Sequence, residues 1–152
     1  MFKFIHMKVI RATSDHLAQL SQLFDLYRVF YQQASNLGAA KDFLEDRFLK
    51  SDSVIFIAIA SDGKGLGFTQ LYPSFSSVSM MSNYILNDLF VSSEARKKGV
   101  GKALMEKAKQ FAISQGSKGL TLETAIDNPA QKLYIRLGFK IDSDVNHYTW
   151  EV

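Results

Sequence analysis

The segment Arg96-Lys97-Lys98-Gly99-Val100-Gly101-Lys102 has the residue types that hold phosphate groups. Two glycines let the backbone approach a ligand closely. A helix beginning at this point would offer unpaired N–H groups and the positive end of its dipole. Arg96, Lys97, Lys98 and Lys102 add positive charge for several phosphates. Two other phosphate motifs do not fit. The P-loop needs Ser or Thr after Gly-Lys, and Ala103 stands there; its first glycine position holds Arg96. The dinucleotide motif Gly-x-Gly-x-x-Gly fails at Leu104. The alternative is a solvated basic turn that caps a helix.

Three other side chains could move protons: Tyr134, Asp88 and Glu123. Tyr134 shares a helix face with Ala130, Leu133 and Leu137, so taken alone it reads as a core tyrosine. Asp88 follows Asn87 on an apolar strand, where period-two alternation expects the two to face opposite ways. Glu123 lies on a later strand. The chain has no cysteine, which removes disulfides, thiolate metal sites and a cysteine nucleophile. His6, His16 and His147 are scattered without metal-ligand spacing, so no metal is expected.

The elements that must position these groups follow a mixed α/β order over 152 residues, the length of one domain spanning 1–152. A strand is expected at Met7–Ala12. A helix capped by Thr13 or Ser14 should run to about Ala34, with Leu17, Leu20, Leu23, Phe24, Tyr27, Phe30 and Tyr31 at helical spacing. Asn36 and Gly38 break it, and a second helix spans about Ala39–Leu49. Strands follow at Ser53–Ala60, Leu66–Phe75 and Tyr84–Val91. A helix at Gly99–Gln115 is stopped by Gly116, and Gly119–Ala125 is a strand. Asn128-Pro129 opens a last helix that Gly138 ends. Phe139–Ile141 and His147–Val152 read as closing strands.

Net charge is +3, too mild to point to nucleic acid, although the lysines near Arg96 make the basic charge local. No apolar run approaches the ~20 residues of a membrane span. The start MFKFIHMKVI lacks the h-region and cleavage site of a signal peptide, and a cytoplasmic location is expected. Met7 is an alternative start to Met1, because the ordered pattern begins at Lys8.

Taken together, two motifs make the sequence resemble the GNAT superfamily of N-acetyltransferases. Arg96, Gly99 and Gly101 match its Arg/Gln-x-x-Gly-x-Gly/Ala pattern. Asn128, Ala130, Tyr134, Gly138 and Phe139 follow Asn-x-x-Ala-x-x-x-Tyr-x-x-x-Gly-Phe, with one residue fewer between Asn128 and Ala130. The resemblance covers roughly Ile55 to Phe139, and the polyamine/histone acetyltransferase branch looks nearest. It implies a single-domain GNAT fold: a central, mostly antiparallel sheet splayed between strands 4 and 5, flanked by about four helices. It implies acetyl-CoA as cosubstrate. The pyrophosphate would rest on Lys98–Lys102, with Arg96 and Lys97 beside it. The pantetheine arm would lie along Leu89, Phe90 and Val91, anchored by Asn128. Tyr134 would be the general acid.

The activity implied is acetyl transfer to a primary amine, such as a polyamine, a lysine or a similar small cation. A non-catalytic acetyl-CoA-binding or partner-binding module on the same fold is the alternative. Attack requires that the amine lose a proton. In the spermidine/spermine acetyltransferases a glutamate precedes the aspartate of the fourth strand. Asn87 takes that place here, and an amide is no base. Either a water chain delivers the proton to Glu123 or Asp88, or the substrate enters as the free amine; Glu123 is the favoured base, and Asp88 would then hold the cation. Asp42, Glu45 and Asp46 could attract a cationic amine. The partners expected are an amine substrate, neither nucleic acid nor membrane, and a second copy in a homodimer or higher homo-oligomer.

Overall fold

The computed structural model describes residues 6–152. Met1 lies outside the described residues, and the alternative start, Met7, is the first residue of the first strand. Strand β2 (Val54–Ala60) is apolar throughout and buried almost throughout, because helices cover both faces of the sheet at that point. Around it the strands β1 (Met7–Arg11), β3 (Gly65–Ser76), β4 (Met81–Val91) and β5 (Leu120–Thr121) form one sheet in the order β1-β2-β3-β4-β5. The first four run antiparallel to their neighbours; β5 is parallel to β4. Gly67 on β3 has no room for a side chain, since a Cβ there would lie 2.5 Å from the Phe90 carbonyl oxygen.

Helices α1 (Leu17–Phe30) and α2 (Leu37–Lys50) cover one face of the sheet, burying Leu20, Leu44, Ile57, Phe68 and Phe90. Helix α3 (Val100–Ser114) covers the other, over Phe56, Leu71, Leu86, Leu104 and Met105. Helix α4 (Gln131–Arg136) packs Leu133 and Tyr134 against that second core. No helix of the described residues is long and apolar enough to cross a membrane.

Several boundaries differ from the sequence expectation. Helix α1 ends at Phe30 rather than Ala34. Gln32 takes the left-handed conformation (φ 65°), and the Gln33 N–H bonds the Arg28 carbonyl at 3.0 Å, a helix-ending motif made without glycine. The turn that follows is tied back to α1, because Asp25 accepts from the Ser35 hydroxyl at 2.6 Å and the Asn36 N–H at 2.7 Å. Asn36, read as a breaker, is instead the N-cap of α2, its side chain accepting from the Ala39 N–H at 3.0 Å.

The C-terminal third departs most. Strand β5 holds two residues rather than Gly119–Ala125. The last helix starts at Gln131, after a turn in which the Asn128 carboxamide accepts from the Ala130 N–H at 2.9 Å. Neither Phe139–Ile141 nor His147–Val152 forms a strand. A strand needs a neighbour's backbone groups, and β5 ends at Thr121, which leaves the closing segments no edge to pair with. The alternating Tyr148 and Trp150 accordingly stay in solvent, 91% and 84% exposed.

Candidate active site

The pairing of β3 with β4 slips at one point. Gln70 faces Asp88 and the next residue, Leu71, faces Leu86, so Asn87 is the extra residue of a β-bulge. The bulge breaks the expected alternation and puts Asn87 and Asp88 on the same side of the sheet. The Asn87 side-chain amide donates to Asp88 Oδ1 at 3.0 Å. From β3 the Gln70 amide donates to Asp88 Oδ2 at 2.5 Å. The Tyr27 hydroxyl reaches in from α1, to the Asn87 carbonyl at 3.5 Å and to the Asp88 carboxylate. Asp88 is 3% exposed and Gln70 fully buried. Burial pushes the Asp88 carboxyl above the ordinary carboxylate range, against the pull of Gln70, Asn87 and Tyr27. Burial, and then the nearby Asp88 charge, raises Tyr27, and in the same order raises Tyr72 to about 12.

A row of phenols leads from this carboxylate to α4. Tyr27 meets Tyr31 edge-on, with ring centres 5.0 Å apart. Tyr134 is half-buried; burial raises its hydroxyl, Tyr31 adds to the effect and Thr124 opposes it. Tyr27 and Tyr31 of α1 thus form a phenol wall that Asp88 and Tyr134, from elements far apart in the chain, each approach. Tyr27 also packs edge-on against Phe68 and Phe90, so part of the first helix's aromatic stripe is core, as helical spacing requires.

The edge of β4 beside this wall is open. Strand β5 pairs only with Tyr84 and Ile85. The Ser92 N–H bonds the Leu66 carbonyl on the β3 side at 2.9 Å, which sets the phase of the ladder. By antiparallel alternation Leu89 and Val91 then turn their backbone groups away from β3, into the gap. Phe90 points into the core under α1. The sheet is thus splayed between β4 and β5, and the gap exposes hydrogen-bonding groups that an amide-bearing chain could pair with.

Below the gap, Lys97 (φ 60°) and Gly99 (φ 84°) are both left-handed and are followed by helical Val100. Alternating left- and right-handed residues turn successive N–H groups to one side and form an anion nest. The first bond of α3 runs from the Ala103 N–H to the Gly99 carbonyl at 3.0 Å, and no side chain caps the helix. The N–H groups of Val100, Gly101 and Lys102 are therefore free for a ligand. Gly101 lies where α4 and β4 converge, with Leu133 and Val91 about its missing side chain.

The basic residues divide. Lys97 and Lys102 are exposed at the nest, and Lys98, also exposed, donates through its ammonium to the Glu94 carbonyl at 2.7 Å. Arg96, expected at a phosphate, bonds the Val91 carbonyl through Nε at 3.0 Å and lies over the Phe30 and Phe90 rings. Lys109 caps the end of α4 at the Leu137 carbonyl, 3.0 Å away, and Lys118 bonds Ser79 at 2.8 Å. Glu123 is in solvent, its side chain 82% exposed and 3.4 Å from His147. It borders a groove of about 1060 Å³ that Tyr134 also lines. Asp42 and Glu45 lie on the outer face of α2, and Asp46 pairs with Arg47 and Lys50. Gln70 was not foreseen. Its one sequence signal is a lone amide inside the apolar run from Leu66 to Tyr72.

Comparison with known proteins agrees with this geometry. Residues 20–139 match the model of the acetyltransferase (GNAT) family. An uncharacterized N-acetyltransferase of Bacillus subtilis, YhfO, is 46% identical, over 96% of this chain and 98% of its own. A crystal structure of a probable acetyltransferase superposes with a TM-score of 0.91 at 40% identity, over 95% of this chain and 97% of the other. An aminoglycoside N-acetyltransferase solved with CoA shares the fold at 22% identity, with a TM-score of 0.80 over 97% of each chain. The uncapped nest, the open edge of β4 and these matches lead to one conclusion: the chain belongs to the acetyltransferase (GNAT) family, whose members use acetyl-CoA, and is an N-acetyltransferase.

Proposed function

We propose that the protein transfers the acetyl group of acetyl-CoA to a cationic primary amine, of the polyamine, lysine or similar small type. The observation that carries this reading is the Asp88 carboxylate, buried among tyrosines beside the open edge of β4. A buried anion whose direct partners are amides and a phenol is matched by a cation. Acetyl-CoA supplies the acetyl group as a thioester. The free N–H groups of Val100, Gly101 and Lys102, with Lys97, Lys98 and Gly99, suit its pyrophosphate, and Arg96 is within the same turn. The backbone of Leu89 and the N–H of Val91 suit the pantetheine amides, the Val91 carbonyl being held by Arg96. Asn128, whose carbonyl oxygen is occupied at the α4 entry, has its amide N–H groups to offer.

Tyr134 donates a proton to the departing thiolate. A raised phenol keeps its proton at neutral pH, as a donor must. Asp88 accepts the proton of the incoming ammonium. Burial makes its carboxylate a better acceptor than an ordinary one. This assigns to Asp88 the role that the sequence favoured for Glu123, whose exposed carboxylate is solvated and faces His147.

The test is release of free thiol from acetyl-CoA across an amine panel. Diamines, polyamines and lysine derivatives should be acetylated in preference to aromatic amines and alcohols. Turnover confined to uncharged acceptors would overturn the reading.

A further inference from the structure

We infer that Gln70 is a positioning residue, which fixes the Asp88 carboxylate across the β3–β4 bulge so that one oxygen stays directed at the acceptor's ammonium. The inference rests on the role proposed for Asp88.

Gln70 is fully buried in the middle of the sheet, and its Oε1 has no hydrogen-bond partner. A leucine or methionine would fill that space without an unpaired polar atom, so packing alone argues against an amide there. What the amide does that a hydrocarbon cannot is donate to Asp88 Oδ2, 2.5 Å away. The register makes this contact specific. Gln70 and Asp88 are direct cross-strand partners at the last pair before the bulge. The bulge turns Asn87 to the same side, where its amide meets the other oxygen, Oδ1, at 3.0 Å.

The two amides differ in exposure. Gln70 is sealed in, whereas Asn87 is at the surface. Oδ2 is therefore held permanently, and Oδ1 carries a donor that can swing away. An ammonium is itself an N–H donor and can take the place of the Asn87 amide on Oδ1. Tyr27 limits the approach from α1. Gln70 thus acts through Asp88 and does not touch the substrate.

The groups facing Asp88 are Tyr27 from α1, with Tyr31 behind it, Gln70 and Tyr72 from β3, and Asn87 from its own strand. Arg47 and Asp52 act on Tyr72 from the end of α2 and the turn after it. Burial raises both Tyr27 and Tyr72, so neither titrates where Asp88 does. The acid limb of the rate profile therefore reports Asp88.

The experiment measures kcat/KM against pH for wild type, Gln70→Met, Tyr27→Phe and Asp88→Asn, with thermal denaturation of each. Gln70 donates to the charged form of Asp88 and favours it. Gln70→Met should move the acid limb to higher pH by about one unit, a roughly tenfold loss below the limb, with recovery on the alkaline side. Tyr27→Phe keeps the ring and should shift the limb the same way by less. If Gln70→Met does not fold, Gln70→Leu, which also removes the donor, is profiled in its place, and Tyr27→Phe serves only as the comparison. An acid limb unmoved in the folded variants, with activity lowered equally at all pH values, overturns the positioning role. Asp88→Asn separates the two readings. If it keeps wild-type activity and pH profile, the role of Asp88 itself fails. If it is inactive while Gln70→Met leaves the limb in place, only the role of Gln70 fails.

Discussion

The side chains of Asn87 and Asp88 lie on one face of β4, joined by a 3.0 Å hydrogen bond, although they are consecutive residues of a strand. The bulge that allows this puts a carboxylate and its amide neighbour beside the free edge of β4. The expected behaviour of the enzyme follows from that placement and from the loop below it.

Asp88→Asn should abolish most amine acetylation at neutral pH, by about 10²-fold or more, because the ammonium then has no carboxylate to receive its proton. Glu123→Gln should retain near wild-type kcat/KM. The sign with pH follows from the raised Asp88 carboxyl. The active, ionised form is lost as pH falls through a value above the ordinary carboxylate range. Steady-state rates of both variants over pH 5–9 check this, and an inactive Glu123→Gln beside an active Asp88→Asn would exchange the two roles.

Tyr134→Phe should lower kcat by about 10²-fold, at the lower end of a general acid contribution, with little change in affinity for acetyl-CoA. The ring continues to pack near Phe139, 6.2 Å away centre to centre, so the fold should be unaffected. Single-turnover kinetics isolate the chemical step from product release. Wild-type single-turnover rates would leave Tyr134 a packing residue.

Gly101→Glu should weaken acetyl-CoA binding by roughly 10²-fold, the worth of about two charge-assisted hydrogen bonds. It puts a carboxylate beside the free N–H groups of α3, where the nest favours an anion from outside. Isothermal titration calorimetry measures the loss, and circular dichroism confirms that the helix survives. Unchanged affinity would remove the pyrophosphate from this loop.

Asp25→Asn should lower the melting temperature by a few degrees at neutral pH and leave acetylation chemistry intact. The Ser35 hydroxyl, the Asn36 N–H and Arg28 hold the Asp25 carboxyl below its usual 3.8. A depressed carboxylate contributes stability that is fully present above its unfolded value and is lost as pH falls through the folded one. The gap between wild type and variant should therefore close below about pH 4. A gap that persists at lower pH would mean that shape, not charge, anchors the α1–α2 turn.

The sequence by itself determined the nest and the order of elements up to β4. Gly99 and Gly101 can be read directly because left-handed backbone and close approach are local demands that glycine meets. Tyr134 was legible through its spacing from Ala130 and Gly138. The helices showed in their periodicity, but the end of α1 did not, since a Gln32 in left-handed conformation carries no glycine signal. Tertiary structure alone decided how Asn87 and Asp88 face. Strict alternation sends Asn87 and Asp88 apart, and only the slip in register against β3, a long-range property, brings them together. It alone set Gln70 against Asp88 and turned Arg96 onto Phe30 and Phe90. It also left the alternating C-terminal segment without a sheet edge. Residue spacing along a chain encodes local conformation, whereas a strand's pairing, and the burial that tunes a carboxylate, depend on residues far away in sequence.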